Sequence, residues 1–160
     1  MASSLTSYLP PQEGLLPKWL VFTALISIAN SIQAFMTLHY TFRVYNPNHP
    51  WLPARISFPY ASSSSDKNKI ASQVTPLSAR TFGTWTLLAS VVRMLVAYHI
   101  DEKAWYELGM WTYGIAWAHF MSEWLVFGTA KWGMPIAGPV VVANGSLLWM
   151  VMQKAWYVKG

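Results

Sequence analysis

Cysteine is absent from all 160 residues, which excludes a disulfide framework, a thiolate nucleophile and any cysteine-ligated metal. Charge is scarce too. Asp, Glu, Lys and Arg make up 11% of the chain, against roughly 25% in soluble domains. The 11 Lys and Arg outnumber the 6 Asp and Glu, but they are scattered singly and form no stripe that could track phosphates, so the net charge of +5 does not indicate nucleic-acid binding. Only four histidines occur, His39, His49, His99 and His119, without the repeated His-x-x-His-His pattern that gathers a membrane di-iron centre. No strand leads into a G-x-G-x-x-G helix, no G-x-S-x-G elbow presents a nucleophile, and no internal repeat is visible. The sequence therefore predicts no metal, no cofactor and no catalytic residue.

Apolar residues are abundant, at 54%. A soluble bundle needs a polar face on every helix, whereas several segments here run for 17 or more residues with one ionisable group or none. The expected fold is an all-α membrane protein, a bundle of four transmembrane helices over about residues 19–40, 81–100, 105–127 and 136–152. The first of these, Trp19 to Tyr40, offers 22 residues without a full charge, and at about 1.5 Å per residue it crosses a ~30 Å hydrocarbon core. Residues 1–18 form a polar tail punctuated by Pro10, Pro11 and Pro17, without the basic start of a cleavable signal peptide. The transmembrane domain then occupies 19–157, and 43–78 reads as a polar loop, broken by five prolines and a serine patch, Ser62 to Ser65. The short link between the second and third spans forces an antiparallel hairpin. GTAKWGMP, Gly128 to Pro135, reads as a turn, and Pro139 falls in the first turn of the fourth span, where a missing N–H is tolerated.

Four spans put both termini on one side, with Lys18, Lys103, Lys154 and Lys159. Arg43, Arg55, Lys67, Lys69, Arg80 and Lys131 lie on the other, and six against four leaves the orientation open. Inside the spans, Arg93 costs at least about 2.5 kcal/mol at a helix centre and needs a partner. A hairpin turn centred near Asp101 and Glu102 sets Arg93 opposite Glu107 and Arg80 opposite Glu123, which predicts two structural ion pairs. His119 and Glu123, four residues apart, share a polar stripe with Thr112 and Ala116. The stripe reads either as interhelical hydrogen bonding, with His119 facing Asn144, or as an acid/base couple within a cage of Trp111, Trp117 and Trp124. Gly114 with Ala118, and Gly138 with Gly145, place small residues at helical spacing, for internal packing or for a homodimer face. The sequon Asn144-Gly145-Ser146 lies inside a span, beyond the reach of glycosylation.

The runs RTFGTWTLLASVVRMLVAYHI (Arg80 to Ile100), WTYGIAWAHFMSEWLVFGTAKWG (Trp111 to Gly133) and GPVVVANGSLLWM (Gly138 to Met150) closely resemble the ergosterol biosynthetic protein 28 family. The segment around His119, Ser122, Glu123 and Trp124 is the most specific part. The resemblance implies a multi-pass protein of the endoplasmic reticulum membrane that is not itself an enzyme. It would tether the sterol C-4 methyl oxidase, the C-3 sterol dehydrogenase/decarboxylase and the 3-keto sterol reductase within membrane lipid, with sterol a further partner on the carrier reading. A dilysine retrieval signal is missing, since VKG supplies only Lys159. The alternative readings are a membrane sterol isomerase, with Glu123 and His119 moving protons, and a sterol-binding carrier.

Overall fold

The structure, a computed structural model, describes residues 8–45, 74–130 and 132–158. Among them are four long helices and one short one: α1 (Leu16–Met36), α2 (His39–Val44), α3 (Pro76–Tyr98), α4 (Lys103–Leu125) and α5 (Met134–Tyr157). The serine patch, with Arg55, Lys67, Lys69, Lys131 and Lys159, lies outside the described residues.

The helices begin ahead of the expected spans because prolines open them. Pro17, Pro76 and Pro135 each stand in the first turn of α1, α3 and α5, where no intrahelical N–H bond is lost. At α3, Thr75 completes a capping box. Its Oγ1 accepts from the Ser78 amide at 3.1 Å, and Ser78 Oγ accepts from the Thr75 amide at 2.8 Å. Pro76 to Ser78, expected in the loop, are thus the first turn of a helix. The first expected span is also shorter than anticipated, because the backbone turns extended at Thr37 and α2 follows as a separate element.

The four long helices run antiparallel in sequence order. Arg93 meets Thr112 and Val96 lies beside Gly109, which pairs α3 with α4. Tyr106 donates to the Met150 carbonyl at 2.6 Å, which pairs α4 with α5. Trp19 Nε1 donates to Ser146 Oγ at 2.8 Å, so the start of α1 lies against the C-terminal half of α5. One apolar cluster, with Leu16, Leu20, Val96, Tyr106, Met150 and Tyr157, fills the end where α1 begins and α5 finishes. A second, with Val44, Phe120, Ala130, Ile136 and Val140, fills the opposite end beneath α2. An isolated antiparallel bridge, Tyr45 to Ala130, ties the residue after α2 to the α4–α5 connection.

The outer surface is apolar, the reverse of a soluble bundle. Phe22, Leu25, Ile32, Leu88, Val91 and Val141 are all exposed. Among the described residues, three helices are long and apolar enough to cross a membrane: α1, α3 and α5, of 21, 23 and 24 residues. α4, the third of the four expected spans, is as long as α3 at 23 residues but carries Lys103, Glu107 and Glu123. Its many Trp and Tyr residues also lower its apolar character, because they prefer the interface to the hydrocarbon core.

α1 and α3 approach closely, backbone against backbone, at Gly83. Ser31 Oγ donates to the Gly83 carbonyl at 2.7 Å, and a Cβ on Gly83 would stand 3.2 Å from the Ser31 carbonyl oxygen and 3.0 Å from the Phe35 ring. The ring is exposed and can swing away, but the carbonyl cannot. Gly83→Ala should therefore lower thermal stability in detergent modestly, whereas Gly83→Leu should cost roughly 1–3 kcal/mol as an overpacked contact. Equal stability of the Leu variant and the unaltered protein would show that the two backbones do not meet there.

Candidate functional site

Arg93 lies in the C-terminal third of α3, five residues before its end, and is 7% exposed. Its Nε donates to Thr112 Oγ1 and its Nη2 to the Thr112 carbonyl, both at 3.1 Å, and Nη1 donates to Ser27 Oγ at 3.3 Å. The guanidinium carbon also stands 4.0 Å from the centroid of the Tyr113 ring, a cation–π contact. Two helices, α1 and α4, thus hold the cation of α3 with neutral oxygens and one aromatic face.

The expected pair of Arg93 with Glu107 is not formed. Facing residues in the hairpin sum to 205, as in Arg93 with Thr112, and that register leaves Glu107 five residues before Arg93's partner on α4. Five residues amount to about 140° around the helix, so Glu107 points to α5, where it accepts from Lys154 Nζ at 2.8 Å. Arg80 does not pair with Glu123 either. It precedes Arg93 by 13 residues, about 140° around α3, and it is exposed.

A cavity of about 490 Å³ adjoins Arg93 at mid-depth between the two apolar clusters. Phe82, Trp85, Tyr113 and Phe120 give it aromatic walls, and Thr23, Ser27, Asn30 and Gln33 add polar groups from α1. The hydroxyls of Thr23 and Tyr113 share a 2.6 Å hydrogen bond at its edge. α1 and α5 touch near Trp19 and Trp149 and flank the cavity with Ile26 and Gly138, both exposed to the surroundings. The cavity therefore opens sideways.

α2 closes the far end through Tyr40. Pro139 lies inside α5 rather than in its first turn, and its missing N–H frees the carbonyl four residues before it, that of Pro135. Tyr40 donates its hydroxyl to that carbonyl at 3.2 Å.

His119 sits behind the aromatic wall and does not line the cavity. Its ring makes edge contacts with Tyr45, Trp85 and Phe120, and Nε2 hydrogen-bonds the Tyr45 hydroxyl at 2.7 Å. Burial, and after it the charge of Glu123, push the Tyr45 phenol well above its usual range, so it remains a hydroxyl. Glu123 Oε1 lies 3.9 Å from His119 Nδ1, while its Oε2 accepts from Thr129 Oγ1 and its carbonyl from the Ala130 amide at 3.1 Å. The couple organises the turn after α4.

The expected contact of His119 with Asn144 is absent, because Asn144 donates to the Val140 carbonyl of its own helix at 2.8 Å. The cage of Trp111, Trp117 and Trp124 does not form either. Trp117 precedes His119 by two residues, about 200° around the helix, and all three indoles face outward, Trp111 with 68% of its surface exposed. Trp124 instead contacts Trp132, with ring centroids 4.7 Å apart.

The glycines singled out by spacing are likewise not the packed ones. A Cβ on Gly114, Gly138 or Gly145 would meet nothing within 4 Å, whereas one on Gly109 would meet Val96 at 2.8 Å and Met150 at 3.1 Å. Sequence reading also missed Ser27, Tyr45 and Tyr113 as partners. Thr112 was visible on the polar stripe without a partner, and it was the available signal for Arg93.

Tyr40→Phe should destabilise the protein by about 1–3 kcal/mol, the penalty of an unpaired carbonyl away from water. In a Pro139→Ala background the new amide can bond Pro135, so the same substitution should cost less. Thermal melts of the two single variants and the double variant test this, and additive losses would rule out the Tyr40 bond as the compensation for Pro139.

The family described as Erg28 like protein matches residues 16–148. A protein of Candida albicans named ergosterol biosynthetic protein 28 is 45% identical over 147 residues, which cover 91% of this chain and 89% of that one. Its namesake in Saccharomyces cerevisiae is 37% identical, over 91% and 84% of the two chains. The human protein named as its homolog is 34% identical over 87% and 84%. No solved structure matches. With a family match over most of the helical region and relatives aligned over nearly their whole length, this chain belongs to the Erg28 family.

Proposed function

We propose that the chain serves sterol biosynthesis in the endoplasmic reticulum membrane as a non-catalytic scaffold. In this reading it holds the C-4 methyl oxidase, the C-3 dehydrogenase/decarboxylase and the 3-keto reductase of sterol C-4 demethylation close together. The place in sterol synthesis follows from relatives named ergosterol biosynthetic proteins, aligned along 91% of this chain. One structural observation favours scaffolding: the interior ionisable groups are engaged in holding the fold, while the outer faces are apolar and aromatic. Arg93 binds α1 and α4, His119 binds Tyr45, and Glu123 binds the turn after α4. Trp111 and the Trp124–Trp132 pair, by contrast, face outward, as anchors for partner helices do.

The same reading makes α4 a fourth span. It runs between α3 and α5, and Leu108, Trp111, Ile115 and Leu125 expose apolar surface along its length. Lys103 and Glu107 fall at one end and Glu123 at the other, near the interfaces where charged groups are tolerated. Proximity on such a scaffold raises the effective concentration of each intermediate for the next enzyme. The proton-transfer alternative has less support, because His119 and Glu123 do not line the cavity that could hold a sterol.

Affinity purification of the tagged chain in mild detergent should recover the three sterol enzymes together. In cells lacking the chain, C-4 methylated or 3-keto sterols should accumulate although each enzyme keeps its activity when assayed alone. Recovery of none of the three, or equal slowing of every isolated enzyme, would overturn the scaffold.

A further inference from the structure

Arg93 is a cation at membrane depth for which the described residues provide no counter-charge. The ion pairs among these residues set Lys154 against Glu107, His99 against Glu102 and His119 against Glu123. Arg93 instead donates three of its five N–H groups to neutral oxygens, which leaves one N–H on each terminal nitrogen. The side chain is nine-tenths buried, holds its charge, and borders the cavity. A guanidinium with a donor left on both terminal nitrogens matches the two oxygens of a carboxylate, and the low dielectric around it strengthens that match.

The rest of the cavity describes the body of the ligand. Its volume of about 490 Å³ lies within the range of roughly 300–1,000 Å³ typical of small-molecule sites. Phe82, Trp85 and Phe120 offer flat apolar walls, and the opening between Ile26 of α1 and Gly138 of α5 faces the lipid side of the bundle. A water-soluble anion has no apolar body to match these walls and no direct route to that opening.

We propose that this cavity binds a sterol acid, with the ring system along the aromatic walls and the carboxylate on Arg93. The carboxylate is argued from Arg93 itself; the choice of a sterol as its body rests on the proposed function. An oxidase that converts a methyl group to a carboxyl and a decarboxylase that removes it exchange an acid of this class. The scaffold would then hold the intermediate as well as the enzymes.

The test uses the full chain in phosphatidylcholine nanodiscs with a radiolabelled sterol 4-carboxylic acid, its methyl ester and oleate as a flexible competitor. The acid should bind saturably and at least about tenfold more tightly than the ester, the factor expected of a charge-assisted bidentate contact. Arg93→Gln should bring the acid to the affinity of the ester and leave the ester unchanged. Gly138→Phe should weaken both ligands, because a side chain there enters open space at the cavity. Equal binding of acid and ester to the unaltered protein, or acid binding indifferent to Gly138→Phe, would overturn the site. Displacement of the acid by an equal concentration of oleate would overturn the ring-system part. Should Arg93→Gln fail to fold, the acid–ester comparison and Gly138→Phe decide the matter. Loss of acid binding while the sterol enzymes still co-purify would dispose of this site and leave the scaffold standing.

Discussion

A guanidinium buried within a membrane helix must be satisfied by its neighbours, because lipid offers it nothing. Arg93 meets that demand only where α1 supplies Ser27, and α4 supplies Thr112 and the face of Tyr113. These contacts fix the register of three helices at once. The hairpin of α3 and α4 carries Tyr113 inward, where its hydroxyl meets Thr23 of α1. The same arrangement leaves the cavity against Arg93, because the charged head holds α1, α3 and α4 around it without filling the space toward α5.

Around this centre the helices associate by close approach and by hydrogen bonds, since lipid provides no hydrophobic drive between them. Ser31 reaches the carbonyl of Gly83, Trp19 reaches Ser146, and Tyr106 reaches the carbonyl of Met150. Each bond takes a polar group out of contact with hydrocarbon. α2 serves the same end at the opposite pole, where Tyr40 takes up the carbonyl released by Pro139. Polar groups that would invite chemistry in a soluble protein are here used in assembly.

The long helices and their antiparallel order were legible in the sequence, because uninterrupted apolar runs and short links constrain both. The boundaries were less so. Thr75-Pro76-Leu77-Ser78 reads as loop by composition, yet Thr75 and Ser78 cap each other and Pro76 opens the helix. The ion pairs failed for a geometric reason: helical hairpins bring residues face to face only when both the sum and the angular position agree, and opposite charge alone selects neither. Glu107 differs from Thr112 by five residues, enough to turn it toward Lys154. The internal-packing reading of the spaced glycines failed similarly, since spacing marks a shared face without saying whether that face is turned inward or outward.

Arg93 is held by neutral and aromatic groups rather than by an acid. Double-mutant cycles on thermal stability in detergent test this most directly. Arg93→Met combined with Tyr113→Leu should show a coupling of about 0.5–2 kcal/mol, the range of cation–π contacts. Arg93→Met combined with Glu107→Gln should be additive. Coupling to Glu107 together with additivity at Tyr113 would contradict the account.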